Sequence, residues 1–133
     1  MTILTIEDDH EFDLGLHRVP PLSRIRAWIR ENLPDVHDDV VIDVELVATE
    51  LTTNAYDHAE GPHCLRLSHQ RARGTVRVEV DDGSTSSVPR GGASTLSGPR
   101  GRGLKLVESI STAWGTQVHP GHKTVWAVIP TLP

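Results

Sequence analysis

A chain of 133 residues with 37% hydrophobic residues is long enough for one domain with its own core. A net charge of −5 argues against direct nucleic-acid binding, which normally needs a basic face. No apolar run approaches the ~18 residues of a membrane span, the N-terminus lacks signal-peptide character, and a lone Cys64 suits a reducing cytoplasm.

Residues 3–7, ILTIE, are short and β-branched and predict an edge strand. PPLSRIRAWIRENL spaces Leu22, Ile25, Ile29 and Leu33 three or four apart. That predicts a one-faced helix, started near Pro20–Pro21 and stopped by Pro34. A second helix is expected from Asp38–Asp39, acids that suit a helix N-terminus, to about Ala59, where Gly61–Pro62 ends it. HCLRLSHQ and GTVRVEVDDG alternate apolar and polar residues about a turn at Arg71–Gly74. They predict an antiparallel hairpin with Val76, Val78 and Val80 on one face.

From Ser84 to Gly103 the chain is rich in Gly, Ser, Thr, Pro and Arg without periodicity, a length of loop usually functional or disordered. GLKLVESISTAWG predicts a third helix starting near Gly103, with Leu104, Val107 and Ile110 on one side. TQVHPGHKTVWAVIP predicts a closing hairpin around Pro120–Gly121. The expected fold is an α/β (α+β) two-layer sandwich over a single domain, 1–133. A mixed, mostly antiparallel sheet carries three main helices on one face. The eight histidines form no HExxH or Cys/His array, so no metal is expected through them.

Three stretches carry candidate chemistry. On the second helix, a wheel at 100° per residue gathers Val40, Val41, Val44, Val47, Ala48, Leu51 and Ala55 into the core stripe. Glu45, Thr49, Thr52, Thr53 and Tyr56 fall opposite, toward water. Glu50, Asn54 and Asp57 form a polar line on one edge of the stripe, where a carboxylate and an amide one turn apart could hold water and a hard cation such as Mg²⁺. Polar residues so spaced are also often merely solvated. In the strand before the loop, parity puts Asp82 on the face of Val76, Val78 and Val80, with Asp81 opposite. An aspartate ending an apolar face needs a donor, and the exocyclic amine of adenine is one. A solvated aspartate opening the DDGS turn is the simpler alternative. Third, Gly91, Gly92, Gly98, Gly101 and Gly103 deliver the chain to a helix N-terminus, whose free N–H groups favour phosphate. Arg100, Arg102 and Lys105 add positive charge there. GPRGRGLKLVE is not a P-loop, since Leu104 stands where the lysine would, nor a dinucleotide fingerprint, since Leu106 replaces the third glycine.

Taken in order, ELTTNAYDHA resembles the N-box of the GHKL, or Bergerat-fold, ATPases. VEVDDGS resembles their first glycine box, GRGLKLVE their second, and GHKTVWAVIP their last, threonine-containing strand. Within that superfamily the compact style is similar to the bacterial anti-sigma-factor serine kinases. The resemblance implies the Bergerat fold, with ATP and Mg²⁺ as cofactors. It casts Glu50 as the acid/base on the attacking hydroxyl, Asn54 as the Mg²⁺ ligand and Asp82 as acceptor of the adenine amine. Asp57 matches an N-box position that contacts nucleotide in some members. Aligning Asp82 puts Ser84 at the box's glycine position, whereas aligning Asp81 puts Gly83 there. Gly101, Arg102, Gly103 and Leu104 would form the phosphate loop with backbone amides, Lys105 would help, Thr124 would support the adenine end, and 84–102 would be the ATP lid. The implied partners are a STAS-type antagonist protein and a sigma factor, and such relatives commonly pair as homodimers. The implied activity is transfer of the ATP γ-phosphate to a serine of the antagonist. The alternative is a nucleotide-sensing module without catalysis.

Overall fold

Alternation builds the sheet. Along β3 (Thr75–Asp82) every second residue is buried, so that Val76, Val78, Val80 and Asp82 share one face. The computed structural model describes residues 8–58, 61–83 and 99–131. Around β3 lie β1 (Asp8–Asp13), β2 (Pro62–Gln70), β4 (Ala113–His119) and β5 (His122–Pro130). The strand order is β1-β2-β3-β5-β4, and all four pairings are antiparallel. The described sheet is therefore antiparallel throughout, where a mixed, mostly antiparallel one was expected.

The two hairpins turn where the sequence places them. Between β2 and β3 a short 3-10 turn, Arg71–Arg73, ends on Gly74 at φ 65°. Between β4 and β5 Gly121 takes φ 82°, a left-handed conformation that favours glycine.

The helices α1 (Leu22–Asn32), α2 (Asp38–His58) and α3 (Pro99–Ile110) cover the face that carries Leu65, Leu67, Val76, Val78, Val80, Val125, Ala127 and Ile129. Against these pack Ile25 and Ile29 of α1, Val44, Val47, Ala48 and Leu51 of α2, and Leu104 and Val107 of α3. Each buried Val, Leu or Ile side chain among these contributes ~1.5–3 kcal/mol relative to exposure. This is the two-layer α+β arrangement expected, with α1 and α2 close to their predicted bounds.

Several elements differ from expectation. The strand expected at 3–7 lies outside the described residues, and the edge strand observed is DDHEFD, Asp8–Asp13. Its composition hides it, because an edge strand needs only backbone pairing and its side chains are largely solvated. Side chains then hold it: Asp9 accepts from Ser68 (2.6 Å), Asp8 pairs with Arg71 (2.9 Å), and Phe12 packs edge-on against Trp28. The third helix starts at Pro99, four residues before Gly103, and Ala113–Gly115 belong to β4 rather than to the helix. The first turn of α3 thus takes in Pro99–Arg102, the end of the stretch expected as lid, while residues 84–98 lie outside the described residues.

The water-facing side of α2 is the largest correction. Glu45 and Thr52 are buried there, and Tyr56 is half-buried. The wheel cannot see what covers a helix from outside: α1 lays Arg30 over Glu45 (2.9 Å), and the segment after β1 covers Tyr56. The Tyr56 hydroxyl lies 3.1 Å from the Leu14 carbonyl and 3.0 Å from that of His17 and donates to them.

On the helix side of β2, His69 is buried. Burial pushes its imidazole below the ordinary 6.5, helped by the nearby Arg71 and opposed by Asp8 and Asp35. Folding therefore favours the neutral ring. Its contribution is fully present above pH 6.5 and is lost as pH falls through the folded-state value.

Two measurements check these contacts. Tyr56→Phe should cost about 1 kcal/mol in urea denaturation with an unchanged m-value. His69→Leu should flatten the loss of stability that the native chain shows as pH is lowered below 6.5.

Candidate functional site

The inward stripe of β3 ends in a carboxylate. Asp82 is 1% exposed, continuing the face of three valines into the helix-covered interior. Its register partner on β5 is Lys123, 3% exposed, with Nζ 3.6 Å from Asp82 Oδ1. A carboxylate so deep is stable only with donors around it, and the ammonium is one.

Asp81 points the other way. Arg66 holds it through both guanidinium arms, one bond being Nη2 to Oδ1 at 2.9 Å. The Thr124 hydroxyl donates to the same carboxylate at 2.6 Å. Burial raises the Asp81 carboxyl, but the hydrogen bonds from Arg66 and Thr124 outweigh it and hold it below its ordinary range. Arg66 also bonds Glu79 (2.8 Å), and Arg77 lies 4.5 Å over the Trp126 ring. This outer face is a structural polar network. The parity reading that separates Asp82 from Asp81 agrees with the structure.

Thr124 does not come to Asp82. It faces outward with Asp81, and the β5 side chain beside Asp82 is Lys123. The same period-two rule that placed Asp82 would have found this, applied to the register between β3 and β5.

The polar line of α2 approaches the same end of the sheet. Beyond the helix the chain enters β2 at Pro62, opposite Asp82, and the Gly61 carbonyl before it accepts from the Gly83 N–H at 3.2 Å. Asn54 is only 8% exposed, and neither its Nδ2 nor its Oδ1 finds a hydrogen-bond partner among the described residues. The hydroxyl of Thr52, fully buried, also has no partner among the described residues. Glu50, one turn before Asn54, is half-buried, and Asp57 is exposed at the helix end. A buried amide without partners is costly in a stable helix.

The α3 N-terminus is arranged differently from expectation. With the helix starting at Pro99, the amides of Arg102, Gly103 and Leu104 lie past the free first turn and pair along the helix. Arg100 and Gly101 supply the free N–H groups instead, since Pro99 has none. Leu104 is core, and Lys105 is exposed in the second turn. Thr112 N–H bonds the Val128 carbonyl at 2.9 Å, anchoring the C-terminal end of α3 beside the end of β5 remote from Lys123. Its first turn is the end turned away from that anchor. Ser84 lies outside the described residues.

The donor set suits a nucleotide triphosphate with a hard cation. Asn54 offers a neutral oxygen and amide to Mg²⁺ and its water, Asp82 an acceptor for a base amine, and α3 free amides for phosphate.

The described residues form a layer of three helices on an antiparallel sheet, with a buried Asn on the central helix and a buried Asp ending the middle strand. The histidine kinase-like ATPase domain family matches residues 18–129, and the chain belongs to that family. Among solved structures it is similar to the RsbU and RsbW domains of Rv1364c from Mycobacterium tuberculosis. That match has 17% identity and a TM-score of 0.67 over 92% of this chain, so it speaks for the fold. This chain spans 32% of that one. No curated protein sequence matches it. Among the described residues, no helix is long and apolar enough to cross a membrane.

If Asn54 is held in reserve for a ligand, replacing it should relieve the protein. Asn54→Leu is expected to raise nucleotide-free stability by about 1 kcal/mol in chemical denaturation. A loss of stability would mean the amide has a structural role.

Proposed function

We propose that the chain binds ATP with Mg²⁺ and acts as a protein serine/threonine kinase of the anti-sigma type, transferring the γ-phosphate to a serine of a STAS-type antagonist protein and so regulating a sigma factor. The observation that carries the reading is Asn54, buried with neither amide atom bonded among the described residues, one helical turn from the half-buried carboxylate of Glu50. Family membership supports it independently.

In this reading Asp82 accepts the base amine, and Asn54 holds the cation. Arg100 and Gly101 offer their free amides to phosphate. Mg²⁺ supplies neutralisation of the phosphate charge. The serine oxygen forms a bond to the γ-phosphorus, the bond from that phosphorus to the β–γ bridging oxygen breaks, and ADP leaves. Glu50 takes the hydroxyl proton. Phosphoryl transfer asks mainly for positioning and charge neutralisation, so this short list suffices. A protein substrate is favoured by Ile42 and Leu46, 41% and 40% exposed on α2, two turns and one turn before Glu50. The cytoplasm, where ATP and sigma factors meet, is the compartment that goes with this role.

The test uses labelled ATP, Mg²⁺ and candidate antagonist proteins. Glu50→Ala should lose label transfer by about 10²–10⁴-fold while still binding ATP. Asn54→Ala and Asp82→Ala should each weaken ATP binding at least about tenfold. Binding with no transfer to any candidate would point to the nucleotide-sensing alternative, in which ATP only changes partner affinity. Unchanged affinity in both binding variants would overturn the site.

A further inference from the structure

The closing hairpin brings together two histidines that the sequence only spaces. β4 and β5 turn at Pro120 and Gly121, and across that turn His119 pairs with His122 in the strand register. Their rings stack with centroids 4.4 Å apart and planes at 21°. The two-residue period puts His122 on the side of Thr124, so both rings stand on the outer face of the sheet, away from the helices. HPGH belongs to no HExxH or Cys/His array, and only the register shows the pair.

The hydrogen bonds behind His119 fix which of its nitrogens carries the proton. The Thr124 hydroxyl has a single proton, and it goes to Asp81 Oδ1 at 2.6 Å. Asp81 is a carboxylate that only accepts, gripped by Arg66 as well. The Thr124 oxygen is thus left to accept from His119 Nε2, 3.2 Å away. Neutral His119 therefore keeps its proton on Nε2 and its lone pair on Nδ1. A ligating imidazole ordinarily has its other N–H tied in this way, which sets the tautomer and raises the basicity of the free nitrogen. Here the tie is a hydroxyl backed by a carboxylate. Ring stacking accounts for the closeness of the two rings but does not call for that relay.

We propose that His119 and His122 form a two-imidazole site for a divalent transition metal ion of the Cu²⁺, Ni²⁺ or Zn²⁺ type. His119 binds through Nδ1. His122 turns about its Cβ–Cγ bond to aim a ring nitrogen at the same ion, because an ion must lie near the plane of each ring. Water fills the rest of the shell, since among the described residues no group of three His, Cys, Asp or Glu side chains is placed to hold a metal. Imidazole suits these ions, with Cu²⁺ bound most tightly, whereas Mg²⁺ prefers oxygen. The site is separate in chemistry and in place from the one proposed for Mg²⁺ and nucleotide, which lies on the helix-covered face. An ion there clamps β4 to β5 at their turn. Held more tightly by the folded hairpin than by the open chain, it stabilises the protein in proportion to occupancy.

The experiment titrates the full chain, untagged and freed of metal with a chelator, with CuCl₂, NiCl₂ and ZnCl₂ by calorimetry, and MgCl₂ is added in competition. Nitrogen NMR follows the imidazole rings as Zn²⁺ is added. One tight ion per chain is expected, Cu²⁺ ahead of Ni²⁺ and Zn²⁺, with Mg²⁺ failing to displace them. His119 Nδ1 and a ring nitrogen of His122 should shift before those of the remaining histidines. His119→Gln and His122→Gln should each lose the tight ion. Thr124→Val keeps both ligands but cuts the relay, and should weaken binding about ten- to a hundredfold. His122→Gln breaks none of the hydrogen bonds to Thr124 and Asp81, so it decides the matter if His119→Gln unsettles the fold. No tight ion in the native chain, tight binding that survives His122→Gln, or an earlier shift at other histidines would overturn the site. Native affinity in Thr124→Val would overturn the assignment of Nδ1. Displacement by Mg²⁺ would overturn the transition-metal chemistry.

Discussion

Strand parity at the junction of β3 and β5 governs the site. Val76, Val78 and Val80 must face the helices for the core to exist, and the same two-residue period then carries Asp82 inward whether or not a carboxylate is welcome there. Antiparallel register places Lys123 across from it. A slip of one residue would expose the valines and turn Asp81 inward, away from Arg66 and Thr124. The hydrophobic core therefore holds the polar pair in place. A buried carboxylate and a buried ammonium would not by themselves hold two strands together against their desolvation cost.

The second constraint is the double use of α2. Its stripe of Val44, Val47, Ala48 and Leu51 is the helix layer's main contact with the sheet, and the same rigid helix bears Glu50 and Asn54. A site on a helix locked into the core is positioned more firmly than one on a loop. Asn54 sits on that helix with no hydrogen-bond partner for its amide among the described residues, a cost that a ligand would relieve in the proposed reading. Sites that oppose stability in this way are common where a ligand completes the bonding.

What could be read in the sequence was what depends on local period and chain breakers. The apolar spacing of α1, the valine alternation of β3, and turns at Gly74 and Gly121 needed no tertiary information. The four motif segments added an order that periodicity alone does not explain. What escaped depends on contacts between distant segments. Nothing in DDHEFD announces an edge strand, since its stability comes from pairing with β2 and from Ser68 and Arg71. Burial of Glu45 and Tyr56 follows from α1 and the segment after β1 lying over α2. The α3 start was obscured by glycines, which read as loop although a proline at the first helical position is favourable. Thr124 drew attention as a motif residue, while Lys123 became visible only with the register of two strands.

The two buried polar centres now stand in contrast. Asp82 has its charge answered inside the protein by Lys123, which holds that end of the sheet in shape. Asn54 has no such answer among the described residues. In the proposed reading a ligand would meet a preformed edge at one end and, at the other, an amide with no partner among the described residues. Preorganisation lowers the ordering cost at the first, and the second gains hydrogen bonds that the protein had forgone. Because those bonds exist only in the bound folded state, their free energy adds to folding in proportion to ligand occupancy. Stability and binding are thereby coupled through one helix, and the nucleotide-free protein is expected to be the less rigid of the two states around α2.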